Sequence, residues 1–355
     1  FTPFIVMVFA PGFLHDPMRF HLATHLLRII FPYIMLISLT ALAGAILNTR
    51  KHFITPAFAP VLLNVSLIIA ALCFSPYSRH PVFVLAVAVL VGGVFQLILQ
   101  VPVLMRLNVL PRFDLNWRDA GVKRVLKLMV PALFGVSVAQ ISLLLDNFFA
   151  SFLPPGSLSW LYYSDRMTYL PLGVIGVAVA TVILPDLARQ KHHDQSVYST
   201  TVDWALQTVL WVGVPAALAL FVLAGPILAT LFLHGNYGVH DVYMTQRSLW
   251  AFALGLPAFM LIKILASAFY ATQDVKTPVR IAVAALLVNL LGNILLIHSL
   301  AHAGLALSTS IAAYANALGL AVILIKRRIY CPQVSWKLYF IRMLVSCSLM
   351  VSVLL

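Results

Sequence analysis

Nearly the whole chain consists of long apolar runs parted by short polar turns. That pattern leaves one way to fold. A helix of ~20 residues is roughly 30 Å long, the thickness of a bilayer's hydrocarbon core. Lipid offers no partner to a backbone N–H or C=O, so each run has to close its hydrogen bonds internally as a helix; the runs are too long for barrel strands. Hydrophobic residues make up 62% of the sequence and charged residues 9%, against about 25% charged in a soluble domain. The expected fold class is an all-α polytopic membrane protein. Its segments are 1–12, which is short, then 24–48, 54–74, 81–105, 125–153, 158–187, 204–233, 246–271, 277–299, 303–325 and 336–355, about 11 helices. Pro131, Pro171 and Pro215 fall inside segments and predict kinks rather than breaks.

The net charge of +13 resembles a nucleic-acid signal, but its distribution argues for topology. Arg50 and Lys51 follow 24–48; Arg106, Arg112, Arg118, Lys123 and Arg124 follow 81–105; Arg189 and Lys191 follow 158–187. Lys276 and Arg280 surround the next turn of this set, and Lys326, Arg327, Arg328 and Lys337 follow 303–325. The intervening loops are nearly free of Lys and Arg, with Arg19 and Arg79 as exceptions. The excess of cations on cytoplasmic loops puts the basic set in the cytoplasm and the first residue with it. The polar stretch 106–124, with Trp117 among basic residues, reads as an interfacial linker. Cys73, Cys331 and Cys347 are scattered and indicate neither a disulfide framework nor a metal site. His192–His193 reads as a solvated pair.

The chain repeats itself. AGAILNTRKHFITPAFAPVLLN at 43–64 parallels ASAFYATQDVKTPVRIAVAALLVN at 266–289. Thr49 aligns with Thr272 and Thr55-Pro56 with Thr277-Pro278, and Thr-Pro is a good helix start. Both copies lie on the same side and run in the same direction, which implies two parallel-repeat lobes with a central cavity. Three helices precede the second copy's Thr272 helix but only 1–12 precedes the first, so a fragment lacking N-terminal helices is expected.

Two constellations place polar chemistry within the apolar runs. Asp165–Arg166 lies in 158–187, with Arg166 roughly 12 Å from the outer end of its helix. A cation at such depth costs at least ~2.5 kcal/mol against lipid, which points to a watered cavity or an anionic ligand, with a structural ion pair as the plainer reading. Adjacent helical residues point ~100° apart, so the two charges do not simply cancel. In the later half, Asp146, Asn289, Asn293 and Thr309 lie at similar depth, with the two asparagines at i, i+4 on one face. Carboxylate, amide and hydroxyl oxygens are hard ligands suited to Na⁺ as a coupling ion; inter-helix hydrogen bonding is the plainer reading.

The stretches VMVFAPGF (6–13), LLRIIFPYIMLISL (26–39), GAILNTRKHFITPAFAPVLLN (44–64), ASFLPPGSLSWLYYSDR (150–166) and FYATQDVKTPVRIA (269–282) resemble the MurJ/MviN family, flippases of the peptidoglycan precursor lipid II. The resemblance covers essentially the whole chain. It implies a superfamily shared with the MATE exporters, two six-helix lobes and two extra C-terminal helices. In that frame 1–105 is a truncated N-lobe with helices three to six, 106–124 a linker, 125–330 the C-lobe with helices seven to twelve, and 331–355 an extra, truncated helix. It also implies that Arg166 with Asp165, and further Lys263 and Arg28, line a cationic cavity for a lipid-linked pyrophosphate, and that Asp146, Asn289, Asn293 and Thr309 match a sodium site of some members. Close relatives carry a glutamate where this chain has Tyr169, which puts any mechanism needing that carboxylate in doubt.

The resemblance thus implies a bacterial inner-membrane transporter that flips lipid II, an undecaprenyl-pyrophosphate-linked muropeptide, by alternating access. Its expected partners are lipid II and membrane lipids, with no nucleic acid, no cofactor beyond Na⁺, and a monomeric state. The alternatives are a cation-coupled small-molecule exporter of the MATE type and a flippase of another lipid-linked oligosaccharide. Exporters of cationic drugs favour acidic cavities, whereas the buried charge here includes Arg166 and Lys263. An enzyme is disfavoured because no span carries a nucleophile with its base.

Overall fold

The computed structural model describes residues 1–109, 124, 129, 140–190, 195–333 and 336–354, and those residues are helical apart from their turns. The chain divides into two compact units, Phe1–Val125 and Leu126–Leu355. The first unit holds α1 (Thr2–Phe9), α2 (Pro17–Ile30), α3 (Tyr33–Thr49), α4 (Ile54–Ile69) and α5 (Pro81–Arg106). The second holds α6 (140–150), α7 (Ser157–Pro171), α8 (Ala178–Gln190), α9 (Gln195–Val222), α10 (Ala224–Phe232), α11 (Val239–Ala271), α12 (Lys276–Leu300), α13 (His302–Lys326) and α14 (Trp336–Leu354). Among the described residues, 9 helical stretches are long and apolar enough to cross a membrane.

Several helices begin before their apolar runs do, because hydropathy marks the part in lipid and capping marks the start. The span expected from 24 begins at Pro17, where the Asp16 carboxylate accepts from the Met18 and Arg19 amides at 3.1 and 3.2 Å. The same carboxylate pairs with the Arg19 guanidinium at 2.9 Å. The span expected from 246 begins at Val239, with Asp241 reaching back to the Gly238 amide at 2.9 Å. The span expected as 204–233 is two helices, α9 and α10, broken at Leu223; the Trp250 indole donates to the Phe221 carbonyl beside the break at 2.8 Å. Pro171 borders the wide-turn stretch Leu172–Val177 that joins α7 to α8, whereas Pro215 sits inside an unbroken α9. Pro131 and most of the linker 106–124 lie outside the described residues, as does the first part of the span 125–153.

In the second unit α11 is the central helix: 61% of an apolar 18-residue stretch of it is buried, against 17% for the corresponding stretch of α12. Leu256, Met260, Ile264, Ala268 and Phe269 on α11 are fully buried against α8, α9 and α13. Small residues let α12 and α13 approach closely; a Cβ on Gly292 would collide with Ser308.

The internal repeat reappears as one local geometry used four times. Helices α3, α5, α11 and α13 each end with a non-glycine residue in the left-handed region: Lys51 (φ 63), Asn108 (φ 53), Gln273 (φ 64) and Arg328 (φ 54). In each, the next amide reaches back five residues, to the carbonyls of Leu47, Leu104, Phe269 and Leu324 at 3.0 to 3.1 Å. This is a Schellman ending, which satisfies the last carbonyls of the helix. The four residues reached are 0%, 2%, 0% and 0% exposed, so each ending is anchored by a buried apolar side chain. Thr49 and Thr272, aligned in sequence, both donate to the carbonyl three residues back, at 2.7 and 2.8 Å.

The turn between α11 and α12 adds a feature absent from its counterpart. Asp274 accepts from the Thr277 amide at 3.0 Å, from the Thr277 hydroxyl at 2.6 Å and from Arg327 at 2.7 Å. Burial pushes this carboxyl up, but the hydrogen bonds from Thr277 and the Arg327 charge outweigh it and hold it below its ordinary value near 3.8. A carboxyl depressed on folding stabilises the fold above its unfolded value, and that contribution is lost as pH falls through the folded one. Asp274→Ala is expected to cost about 1 kcal/mol at neutral pH, mainly as a lost helix cap, since Arg327 is half exposed. Thermal unfolding in detergent at several pH values checks this. The gap between wild type and variant should be constant above about pH 5 and shrink below about pH 4; a gap that grows towards acid would overturn the assignment.

Candidate functional site

The polar residues of the second unit converge on a cavity of about 310 Å³ among α6, α7, α11, α12 and α13. Helix α12 brings Asn289 and Asn293 to one face, and both are fully buried. Asn293 Nδ2 donates to Asp146 Oδ1 at 2.9 Å and to Asn289 Oδ1 at 3.3 Å. From α13, Thr309 Oγ1 donates to Asp146 Oδ2 at 3.2 Å and accepts from Asn289 Nδ2 at 3.1 Å. The Asn289 carbonyl accepts from the Ser308 hydroxyl at 2.6 Å, which ties α12 to α13 directly below the cluster. Asp146, Asn289, Asn293 and Thr309 therefore form one connected set.

That set has oxygen capacity to spare. Asn293 Oδ1 is buried with no hydrogen-bond partner, and so is Asn316 Oδ1, whose residue lines the same cavity. Asp146 has no cation within ion-pair distance among the described residues. A buried carboxylate with amide and hydroxyl oxygens around it, one amide oxygen unpartnered, fits a hard monovalent or divalent cation by donor chemistry.

Asp165 and Arg166 part company, as their ~100° separation requires. Asp165 turns inward and lines the cavity with Asp146, again without an ion-pair partner among the described residues. Arg166 is exposed, its guanidinium carbon 4.9 Å from the centroid of the Tyr162 ring one turn earlier. No neighbouring helix supplies it with a carboxylate among the described residues. Lys263 is exposed on α11 of the same unit, and neither cation lines the cavity. Arg28 is exposed in the last turn of α2, in the first unit. Tyr169, one turn below Asp165, lines the cavity, so its phenol faces the space beside the two carboxylates. The i, i+4 spacing puts Asp165 and Tyr169 on one face of α7, but the sequence carries no sign that Asn316 of α13 shares their cavity.

The outer end of α7 is locked in place by an interaction not expected from sequence. Trp160, only 7% exposed, donates from its indole to Asp241 Oδ1 at 2.8 Å and stands edge-on to the His302 ring at 4.9 Å. The lock fixes the start of α7 to the starts of α11 and α13, and so fixes the register of Asp165 and Arg166. Trp160→Phe keeps the ring contacts but loses a hydrogen bond to a charged acceptor, worth about 1.5–3 kcal/mol. A fall of several degrees in the unfolding midpoint is expected; an unchanged midpoint would show that the bond contributes nothing.

The sequence model of the family described as Lipid II flippase MurJ matches residues 1–355. A protein of Burkholderia cenocepacia described as lipid II flippase MurJ is 45% identical over 344 residues, covering 96% of this chain and 67% of that protein. A probable lipid II flippase MurJ of Vibrio cholerae is 47% identical over 300 residues, covering 84% of this chain and 57% of the relative. Among solved structures, a lipid II flippase MurJ in an inward closed conformation superimposes with a TM-score of 0.84 at 26% identity, over 99% of this chain and 71% of that one. A Vibrio cholerae MATE transporter superimposes with a TM-score of 0.60 at 15% identity, over 92% of this chain and 76% of that one, a likeness of fold alone.

Proposed function

The chain belongs to the lipid II flippase MurJ family, and from that premise we propose that it carries lipid II from the cytoplasmic to the periplasmic leaflet of the bacterial inner membrane by alternating access. The observation that carries the reading beyond family membership is Arg166: an arginine well inside a spanning helix, with no carboxylate paired to it among the described residues. A lipid-linked pyrophosphate is the kind of ligand such a group serves. The Tyr162 ring lies against the guanidinium, 4.9 Å from its central carbon, and an arginine fork can meet two phosphate oxygens at once. Lys263, exposed on α11 of the same unit, would add a cation for the same anion, and Asp165, turned ~100° away, leaves the Arg166 charge available.

Asp146, Asn289, Asn293 and Thr309 would hold Na⁺, which supplies a positive charge whose binding depends on how these helices are arranged. In this chain the orphaned Asn293 Oδ1 supports that reading, since turning the amide toward the carboxylate adds an oxygen to the set. Tyr169 brings a phenol to the cavity, and among the described residues the carboxylates that line it are Asp146 and Asp165. The role is transport, and no residue is assigned to bond-making.

The test is whether depleting the protein traps lipid II on the cytoplasmic face. Lipid II accessible to a probe added outside the inner membrane should fall severalfold on depletion and return on re-expression. Unchanged accessibility would overturn the assignment of substrate. Accumulation of a different lipid-linked oligosaccharide would assign the protein to that substrate.

A further inference from the structure

Arg79 stands apart from the alternation of loop charge, on the side that is otherwise almost free of Lys and Arg. Arg19, the other exception, is accounted for by its pair with Asp16. Arg79 is exposed and has no such partner; Asp16 is the sole acidic residue among those described in the first unit.

Arg79 directly follows Ser78, the last loop residue before α5 to line an apolar groove. Helices α4 and α5 touch at Gly92, where a Cβ would come within 2.9 Å of Leu63 Cδ1 and 3.0 Å of its Cα. One turn nearer the loop, Ser66 Oγ donates to the Ala88 carbonyl at 2.8 Å. Beyond that contact, the end of α4 unwinds into the wide turns Ala70–Phe74 and the tight turn Ser75–Tyr77. A groove of about 670 Å³ runs along the seam of the two helices and over the Ser66–Ala88 contact, lined mostly by apolar side chains such as Ile69, Cys73, Phe83, Val87, Val91 and Phe95. From Phe83 to Phe95 it runs roughly 18 Å, close to the ~15 Å depth of one leaflet's hydrocarbon. Tyr77 and Ser78 line its loop end, and the exposed Arg79 and His80 come next in the chain, at the height of the interface.

We propose that this groove binds an anionic phospholipid of the outer leaflet, with one acyl chain lying along the seam of α4 and α5 and the phosphate meeting Arg79. The length argues for an acyl chain, since an eleven-unit prenyl chain is far longer than one leaflet is deep. The charge argues for an anionic headgroup, because the loop beside the groove carries the cation Arg79 and, among the described residues, no carboxylate. The site is independent of the substrate reading above, and none of its residues belongs to the proposed transport machinery.

The experiment uses the full chain in vesicles carrying trace phosphatidylglycerol or phosphatidylcholine with a photoreactive group in the acyl chain, and maps the labelled residues. Phosphatidylglycerol is expected to label the 69–95 stretch severalfold more than phosphatidylcholine. Arg79→Ala should reduce the first to the level of the second, and Val87→Trp should reduce labelling by both, with labelling elsewhere on the chain unchanged as the control for folding. Equal labelling by the two lipids, or no effect of either substitution, overturns the proposal. A photoreactive polyprenyl phosphate that labels the groove more strongly than phosphatidylglycerol also overturns it, by giving the groove a different occupant.

Discussion

Arg166→Ala is expected to abolish growth of a strain that depends on this protein for lipid II flipping, at normal expression and with the protein still present in the membrane. The guanidinium is exposed, held by the Tyr162 ring and free of carboxylate partners among the described residues, so its loss removes a ligand contact and leaves no buried charge stranded. A hydrogen bond to a charged group is worth about 1.5–3 kcal/mol. Two made by one fork amount to at least a ~100-fold loss in affinity for the pyrophosphate. Arg166→Lys keeps the charge, gives up the bidentate fork, and should restore growth in part. Growth equal to wild type with alanine at this position would remove Arg166 from the binding site, and the two substitutions behaving alike would assign it a role that geometry does not serve.

Asp146→Asn is expected to remove a response to sodium together with transport. The substitution preserves size and most of the hydrogen bonding to Asn293 and Thr309 while removing the charge. In wild type, Na⁺ at concentrations where K⁺ has no effect should raise the unfolding midpoint by several degrees, since a ligand that binds only the folded state stabilises it in proportion to the logarithm of its concentration. In the variant that difference should vanish, and flipping should fall at least tenfold. If the variant transports normally and the two cations never differ, the cluster is a set of inter-helix hydrogen bonds worth about 0.6 kcal/mol each.

Asp146, Asn289, Asn293 and Thr309 could be read together from sequence because depth along a spanning helix is simple arithmetic, and because Asn289 and Asn293 share a face by spacing alone. The inward turn of Asp165 and the outward turn of Arg166 were half legible: adjacency fixes the angle between them, and only packing decides which faces the cavity. Tyr162 under Arg166, and Trp160 locked to Asp241, were not legible, because an aromatic residue in an apolar helix looks the same whether it meets lipid, a cation or a carboxylate. Helix existence followed from hydropathy, yet the starts of α2, α9 and α11 did not, since their first turns are polar and owe their helical form to caps and packing. The break at Leu223 is the opposite failure: a continuous apolar run contains no sign of an interruption that Trp250 helps to satisfy from another helix.

The four matched endings at Lys51, Asn108, Gln273 and Arg328 bear on how the chain enters its membrane. Each seals the cytoplasmic end of a helix with hydrogen bonds that span no more than five residues, so the seal needs nothing made later by the ribosome. The turns after α3 and α11 each join two spans whose basic end is already closed. A hairpin of that kind can leave the insertion machinery as a finished piece, its polar backbone covered before any partner helix arrives. The order of assembly then follows the order of synthesis, hairpin by hairpin, with the Ser308–Asn289 and Asp146 contacts made only when such pieces meet inside the lipid.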